Sequence, residues 1–196
     1  MANSILQLII LFIVIFDPLV SLTVFFVATE DSTIEEKHLI AVYSVLVAGI
    51  ISLFFLIFGQ SMLYLFSTDI EYFRIAGGII LTILGINMVR GTSFIDEKKI
   101  QKSSGTAISS IIGSPILAGP AAITTIIISR YDNGLLVTGL SLVIVLLVTG
   151  LILYFGAVIR KYLSLAVIQV LSSILGLITV SWGVKFILVG LNYNLS

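Results

Sequence analysis

Long apolar runs separated by short polar segments make up most of this chain. Each run is long enough for a helix that crosses a bilayer, which needs about 20 predominantly apolar residues. The pattern therefore predicts an all-α membrane protein with six transmembrane helices. The predicted spans cover approximately residues 3–29, 37–58, 70–90, 106–129, 135–159 and 165–191.

Two of these runs contain residues that interrupt a helix. The fourth contains Ser114-Pro-Ile-Leu-Ala-Gly-Pro120, and the first contains Phe16-Asp17-Pro18 at its centre. Proline lacks a backbone N–H and its ring collides with the preceding turn. A helix break inside a bilayer is tolerated only where the freed backbone groups are buried in protein or line a cavity. We therefore predict that both breaks border a polar site. A proline kink is the alternative for the break at 114–120. For Asp17 the alternative is a helix-capping role, which is compatible with a role in the site.

Composition and charge exclude several classes of function. Hydrophobic residues make up 59% of the chain, charged residues 10%, and the formal net charge is zero. A mean hydropathy of +1.23 is typical of a helical membrane protein, and the neutral charge argues against nucleic-acid binding. Without cysteine and with His38 as the single histidine, a thiolate or histidine-cluster metal site is excluded. With one carboxylate at mid-membrane depth, we expect neither an enzyme nor a bound cofactor.

The two halves of the chain correspond to each other. Phe16-Asp17-Pro18 aligns with Ala118-Gly119-Pro120, and Gly77 aligns with Gly176. We predict a first three-helix repeat at 1–91, a cytoplasmic linker at 92–105 and a second three-helix repeat at 106–196, the first and fourth helices being broken at mid-membrane.

Basic residues predict the orientation. One side carries Arg74 and Arg130, and the other carries most of the remaining basic residues, which places it in the cytoplasm. Both termini then face outward. Because each half has an odd number of spans, the halves are inverted, and such repeats bind substrate at their interface near the midplane. The basic residues assigned to the cytoplasmic loops are Lys37, Arg90, Lys98, Lys99, Lys102, Arg160 and Lys161.

Four motifs together resemble the MarC family of integral membrane proteins. They are Phe16-Asp17-Pro18, Phe73-Arg-Ile-Ala-Gly-Gly78, Ser114-Pro-Ile-Leu-Ala-Gly-Pro120 and Ile174-Leu-Gly176. The resemblance covers essentially the whole chain and implies six spans in two inverted halves with outer termini. An archaeal branch similar to this sequence implies transport of small neutral amino acids, with glycine and alanine favoured. Ala121 and Asn87 depart from the commoner pattern of glycine and aspartate, which bears on substrate selection.

The residues around the breaks suit a small zwitterion. The half-helix N-termini opened by the prolines can receive a carboxylate, while Asp17 and unwound carbonyls can receive an ammonium group. The hydroxyls of Ser21, Ser114 and Thr124 offer uncharged hydrogen bonds. The glycines and the alanine at positions 77, 78, 119 and 121 form a small pocket, which excludes substrates with larger side chains. The candidate substrate-binding residues are Asp17, Pro18, Ser21, Gly77, Gly78, Ser114, Leu117, Ala118, Gly119, Pro120, Ala121 and Thr124.

These features predict a secondary transporter that works by alternating access in the plasma membrane, with amino acids and lipids as its partners. Burial disfavours the charged form of a carboxylate, so Asp17 is a candidate proton carrier. Sodium bound by the same carbonyls is the alternative coupling ion. Two other functions stay open: an exporter of other small molecules or drugs on the same fold, and a small-solute channel.

Overall fold

The computed structural model describes residues 2–91, 105–156, 158–159 and 164–192. Most of the predicted linker and the pair Arg160 and Lys161 lie outside the described residues. Every regular element among the described residues is helical. The helices are α1 (Ala2–Phe16), α2 (Pro18–Ala28), α3 (Ile34–Leu65), α4 (Ile70–Arg90), α5 (Gly105–Ile111), a π-helical segment (Ile112–Leu117), α6 (Pro120–Tyr154) and α7 (Leu165–Gly190).

Five stretches of the described chain are long and apolar enough, by length and composition, to cross a membrane. This confirms the prediction of a helical membrane protein. The five stretches are Ser4–Ala28, Ile34–Leu65, Ile70–Arg90, Pro120–Tyr154 and Ala166–Gly190.

The second half of the chain first runs parallel to α3. Near the start of α5, the Ser109 hydroxyl lies 3.4 Å from the Ile40 carbonyl. Further along both segments, Gly59 packs against the side chain of Ile127. Contacts therefore advance in the same direction along α3 and along residues 105–133.

The direction reverses at Gly134 inside α6. This glycine has φ 79° and ψ 169°, which no helical residue adopts. After it, Gly139 packs against Leu56 and Gly150 against Val45. Residues 135–154 therefore run antiparallel to α3, so α6 comprises two helices joined by a tight turn, as the predicted boundary between the fourth and fifth spans requires.

Helices α4 and α7 form the most extensive helix pair and run antiparallel. A Cβ atom at Gly85 would lie 2.6 Å from the Gly176 carbonyl oxygen, and Gly78 meets the Gly183 carbonyl in the same way. Small residues let the two backbones approach closely, which is how helices associate without a hydrophobic driving force between them.

The connections between helices lie at two opposite ends of the bundle, the Gly134 end and the Thr33 end. The Gly134 end contains Gly134 and the α3–α4 connection, and Gly190 at the end of α7 packs there against the Glu71 carbonyl. The Thr33 end contains the α2–α3 connection, the start of α5 and the end of α6.

Local signals identified most helix starts. Thr33 and Glu36 form a capping box at the start of α3. Helices α2 and α6 begin at the prolines that were predicted to open them. The predicted end of the second span near Phe58 is wrong, because α3 continues to Leu65. Gly59 is helical and makes room for a side chain of α6 instead of forming a turn.

We expect Gly85→Ala to lower the free energy of unfolding by about 1–3 kcal/mol, because its methyl group would collide with α7 backbone atoms that cannot move aside. Gly49→Ala is the matched control, since its Cβ would lie 3.7 Å from the nearest atom, on Leu146. Thermal unfolding of the purified variants in detergent measures the difference. Equal midpoints for the two variants would contradict the close α4–α7 contact.

Candidate functional site

The first helix break consists of a single residue. Asp17 adopts a left-handed conformation, with φ 38° and ψ 72°, between α1 and α2. Aspartate is one of the few residues that tolerate this region, and Pro18, which has no N–H, starts α2 at a position where none is needed. The Asp17 Oδ1 atom accepts a hydrogen bond of 3.2 Å from the Val20 N–H. The capping role considered for Asp17 is therefore confirmed.

The other carboxylate oxygen of Asp17 is held by a distant helix. The Ser172 hydroxyl of α7 donates to Oδ2 at 2.9 Å. Both side chains are buried, with Asp17 7% and Ser172 1% exposed. In the part of the chain that the structure describes, no cationic side chain lies within ion-pair distance of Asp17. Among the described residues, therefore, the donors that hold this carboxylate are neutral.

The second break lies later than the sequence suggests. The helix of α5 does not stop at Ser114 but widens into the π-helical segment, where the Ala118 N–H donates to the Gly113 carbonyl at 3.2 Å. The break itself comprises Ala118 and Gly119, the latter being extended with φ −72° and ψ 179°. Pro120 then starts α6, and no side chain caps its first turn.

The two breaks lie on neighbouring segments. Helix α2, which starts at the first break, packs against both the π-helical segment and α6. Gly77 of α4 packs against the Thr124 side chain, one turn into α6. Gly78 instead faces α7, so it contributes to the α4–α7 contact and not to the surroundings of either break.

The remaining predicted site residues are mostly buried, and two of their hydroxyls contact backbone carbonyls. The Thr124 hydroxyl donates to the Pro120 carbonyl at 2.8 Å, and the Ser21 hydroxyl lies 3.5 Å from the Phe16 carbonyl. Both hydroxyls therefore turn toward the backbone of their own break. Ser114 is partly buried and Pro120 is exposed, while the others are buried, namely Pro18, Ser21, Leu117, Ala118, Gly119, Ala121 and Thr124.

A cleft opens at the Thr33 end. It has a volume of about 430 Å³ and lies between the end of α2, the start of α3 and the start of α5. Asp31, Glu36, Tyr43 and Ser109 contribute polar groups to its walls. The cleft therefore lies where elements of the two halves meet at this end of the bundle, and none of its lining residues belongs to either break.

The Gly134 end is closed by charged groups. The Arg74 guanidinium of α4 forms a two-point ion pair with Asp132, with one of the bonds, from Nη1 to Oδ2, at 2.9 Å. The ring of Tyr131 lies 5.8 Å from the same guanidinium. Arg130 donates to the carbonyls of Leu56 and Ile57 at the end of α3. Side chains of α6 thus bind both α3 and α4 across this end.

Sequence reasoning did not identify Ser172 or the Arg74–Asp132 pair. Ser172 is 155 residues from Asp17, and Arg74 is 58 residues from Asp132. Hydroxyls are common in all the predicted spans, so no local pattern distinguishes Ser172 from its neighbours.

The chain is similar in sequence to known membrane proteins over most of its length. Residues 2–195 match the sequence model of the MarC family integral membrane proteins. A UPF0056 membrane protein of Pyrococcus horikoshii is 24% identical over 191 residues, covering 97% of this chain and 94% of the relative. Another, of Methanocaldococcus jannaschii, is 30% identical over 190 residues, covering 90% of each. The UPF0056 membrane protein YhcE of Escherichia coli is 32% identical over 166 residues, covering 80% of this chain and 75% of the relative. No solved structure matches the chain.

We expect Asp17→Ala to lower the free energy of unfolding by about 2 kcal/mol, since it removes the cap of α2 and leaves a left-handed residue that aspartate tolerates best. Asp17→Asn keeps an acceptor for Val20 and tolerates the same backbone, so we expect its unfolding midpoint to stay near that of the wild type. Thermal unfolding in detergent compares the two variants. Equal midpoints for alanine and asparagine would contradict the capping role.

Proposed function

This chain belongs to the MarC family of integral membrane proteins, and on that premise we propose that it is a secondary transporter of small neutral amino acids. Glycine and alanine are the favoured substrates. Transport proceeds by alternating access across the plasma membrane, coupled to a proton or a sodium ion. The observation that carries the proposal is a difference between the two helix breaks.

The first turn of α2 is capped by a carboxylate, and the first turn of α6 is not. At Pro18 the Asp17 side chain accepts from a backbone N–H group. At Pro120 the preceding residue is Gly119, which has no side chain to do so. Helix N-termini attract anions through their free N–H groups and the helix dipole. The carboxylate of an amino acid would occupy, at α6, the place that Asp17 occupies at α2.

The amino group of the same substrate suits the first break. The Asp17 carboxylate is buried and hydrogen-bonded to neutral donors. A carboxylate without an opposite charge is costly within a bilayer. An ammonium group supplies that charge, or a coupling proton or sodium ion does so in its absence. A zwitterion therefore satisfies the requirements of both breaks at once.

Small residues near the breaks favour a small substrate. Gly119 and Ala121 flank the proline that opens α6. The Thr124 side chain already occupies the space beside Gly77, so the surface of α4 leaves no further space for a ligand there. A ligand bound at the first turn of α6 therefore meets close-packed backbone, which favours glycine and alanine over larger amino acids.

The α4–α7 contact supports two inverted three-helix repeats, at 1–91 and 106–196. Gly176 follows Gly78 by 98 residues, and Gly183 follows Gly85 by the same interval. Because Gly78 packs on Gly183 and Gly85 on Gly176, this shift exchanges the two contacts, as a two-fold axis between repeats requires. The contacts favour Gly78, and not Gly77, as the counterpart of Gly176.

Contacts outside this pair support the same symmetry. The Ser109 hydroxyl of α5 approaches the Ile40 carbonyl of α3, and the Ser141 hydroxyl of α6 approaches the Ile5 carbonyl of α1, both at 3.4 Å. The first broken helix of each half thus packs against an intact helix of the other half. With the basic loops at the Thr33 end, that end is cytoplasmic and both termini face outward.

The two ends of the bundle support alternating access. In this proposal the cleft is the open side of the carrier at the Thr33 end, and the Arg74–Asp132 ion pair holds the Gly134 end closed. This arrangement corresponds to an inward-facing state of the carrier. Breaking the ion pair favours the opposite state.

We expect purified wild-type protein in liposomes to catalyse saturable glycine counterflow, in which internal unlabelled glycine drives uptake of labelled glycine. Asp17→Asn removes the charge that pairs with the ammonium group and is expected to reduce uptake at least about tenfold. Asp69→Asn is the matched control, because Asp69 is exposed and its side chain does not cap α4.

Three results would contradict the proposal. Uptake without counterflow would indicate a channel. An absence of uptake for every amino acid tested, in protein that binds none of them, would favour the exporter. Equal uptake by Asp17→Asn and Asp69→Asn would remove Asp17 from the site.

We expect Asp132→Asn to favour the outward-facing state. The chain has no cysteine, so Ser129→Cys, at a site that is 3% exposed, gives a single reporter. Weakening the ion pair by about 1 kcal/mol corresponds to about fivefold more of the outward-facing state. Labelling by a membrane-impermeant thiol reagent from the Gly134 side measures this change. Asp69→Asn with the same reporter is the control, and equal labelling would contradict the role of the ion pair.

A further inference from the structure

Ser172 forms a hydrogen bond that differs from those of the other helical hydroxyls. Serine and threonine in these helices mostly donate to the carbonyl four residues earlier, a bond that is made within one helix and needs no tertiary contact. Ser173, next in sequence, donates in this way to the Gln169 carbonyl at 2.9 Å. The buried Ser172 hydroxyl instead donates to Asp17 Oδ2, also at 2.9 Å. It thereby connects α7 directly to the first helix break.

The symmetry of the α4–α7 pair relates Ser172 to Arg74. Ser172 follows Arg74 by the same 98 residues that relate the contacting glycines. Each helix therefore uses one position to bind a carboxylate of another segment: Arg74 binds Asp132, and Ser172 binds Asp17. The two donors differ in charge. The guanidinium neutralises Asp132, whereas the hydroxyl orients Asp17 and leaves its charge in place.

The described cations on α6 and α7, which pack against α1 and α2, have other contacts. Helices α1 and α2 contain no lysine or arginine. On α6, Arg130 donates to carbonyls of α3. On α7, the Lys185 ammonium lies 4.3 Å from the centre of the Trp182 ring. The described helices that surround the first break thus leave the charge of Asp17 to be balanced by a ligand.

We propose that Ser172 is a positioning residue of the transport site, which orients the Asp17 carboxylate for a bound cationic group. That group is the substrate ammonium or the coupling cation. This inference rests on the proposed function, and it adds that α7 contributes a residue to the site at the first break.

Glycine counterflow by Ser172→Ala, Ser172→Thr and Ser173→Ala tests the inference. Loss of a hydrogen bond to a charged group is expected to raise the KM of Ser172→Ala about tenfold while Vmax changes less than about twofold. Threonine keeps the hydroxyl and should restore most of the affinity. Ser173→Ala, the matched control, should behave as wild type. In an Asp17→Asn background, Ser172→Ala should have no further effect on residual uptake, because the carboxylate that it orients is absent.

The outcomes separate this inference from the proposed function. If the wild type shows no saturable uptake, the proposed function fails and the inference fails with it. If the wild type transports glycine and the KM of Ser172→Ala equals that of Ser173→Ala, the role of Ser172 alone is overturned. A fall in unfolding midpoint and Vmax with unchanged KM would also overturn it, because that pattern indicates helix packing. Should alanine prevent folding, Ser172→Cys keeps the size with a weaker donor and should give an intermediate KM; a wild-type value would overturn the inference.

Discussion

The structure depends on satisfying backbone N–H groups where helices break inside a bilayer. Water is not present there to bind them, so each break needs an internal partner. At the first break the Asp17 carboxylate supplies it, at the cost of burying a charge. At the second break the π-helical segment retains hydrogen bonding up to Ala118, and only the start of α6 lacks a side-chain partner. This asymmetry makes the pair of breaks suitable for a ligand that has both charges.

The α4–α7 pair connects the Gly134 end of the bundle to the first helix break. Its glycines bring two backbones into contact, so the two helices pack closely as one unit. From equivalent positions on this unit, Arg74 reaches the closed end and Ser172 reaches the first break. One contact is charged and the other neutral. The pair therefore contacts both the Gly134 end and the first break.

Much of the fold was predictable because the signals are local. Proline removes a donor wherever it occurs, so the starts of α2 and α6 follow from Pro18 and Pro120 alone. The capping box at Thr33 and the turn at Gly134 are also properties of a few adjacent residues. The end of the second span was not predictable in this way. A glycine such as Gly59 is common both in turns and at close helix contacts, so the sequence alone does not distinguish the two. The packing of Ile127 against Gly59 shows that it lies at a helix contact.

The sequence by itself determined that this is a helical membrane protein with two broken helices, since apolar length and proline act without reference to the rest of the chain. It also identified Asp17 as a buried carboxylate. Only the tertiary structure decided which groups hold that carboxylate, because Ser172 is brought to it by packing over a separation of 155 residues. The same is true of the pairing of Arg74 with Asp132. Hydrogen bonds between distant helices depend on their relative position and rotation, and no local pattern of residues specifies either.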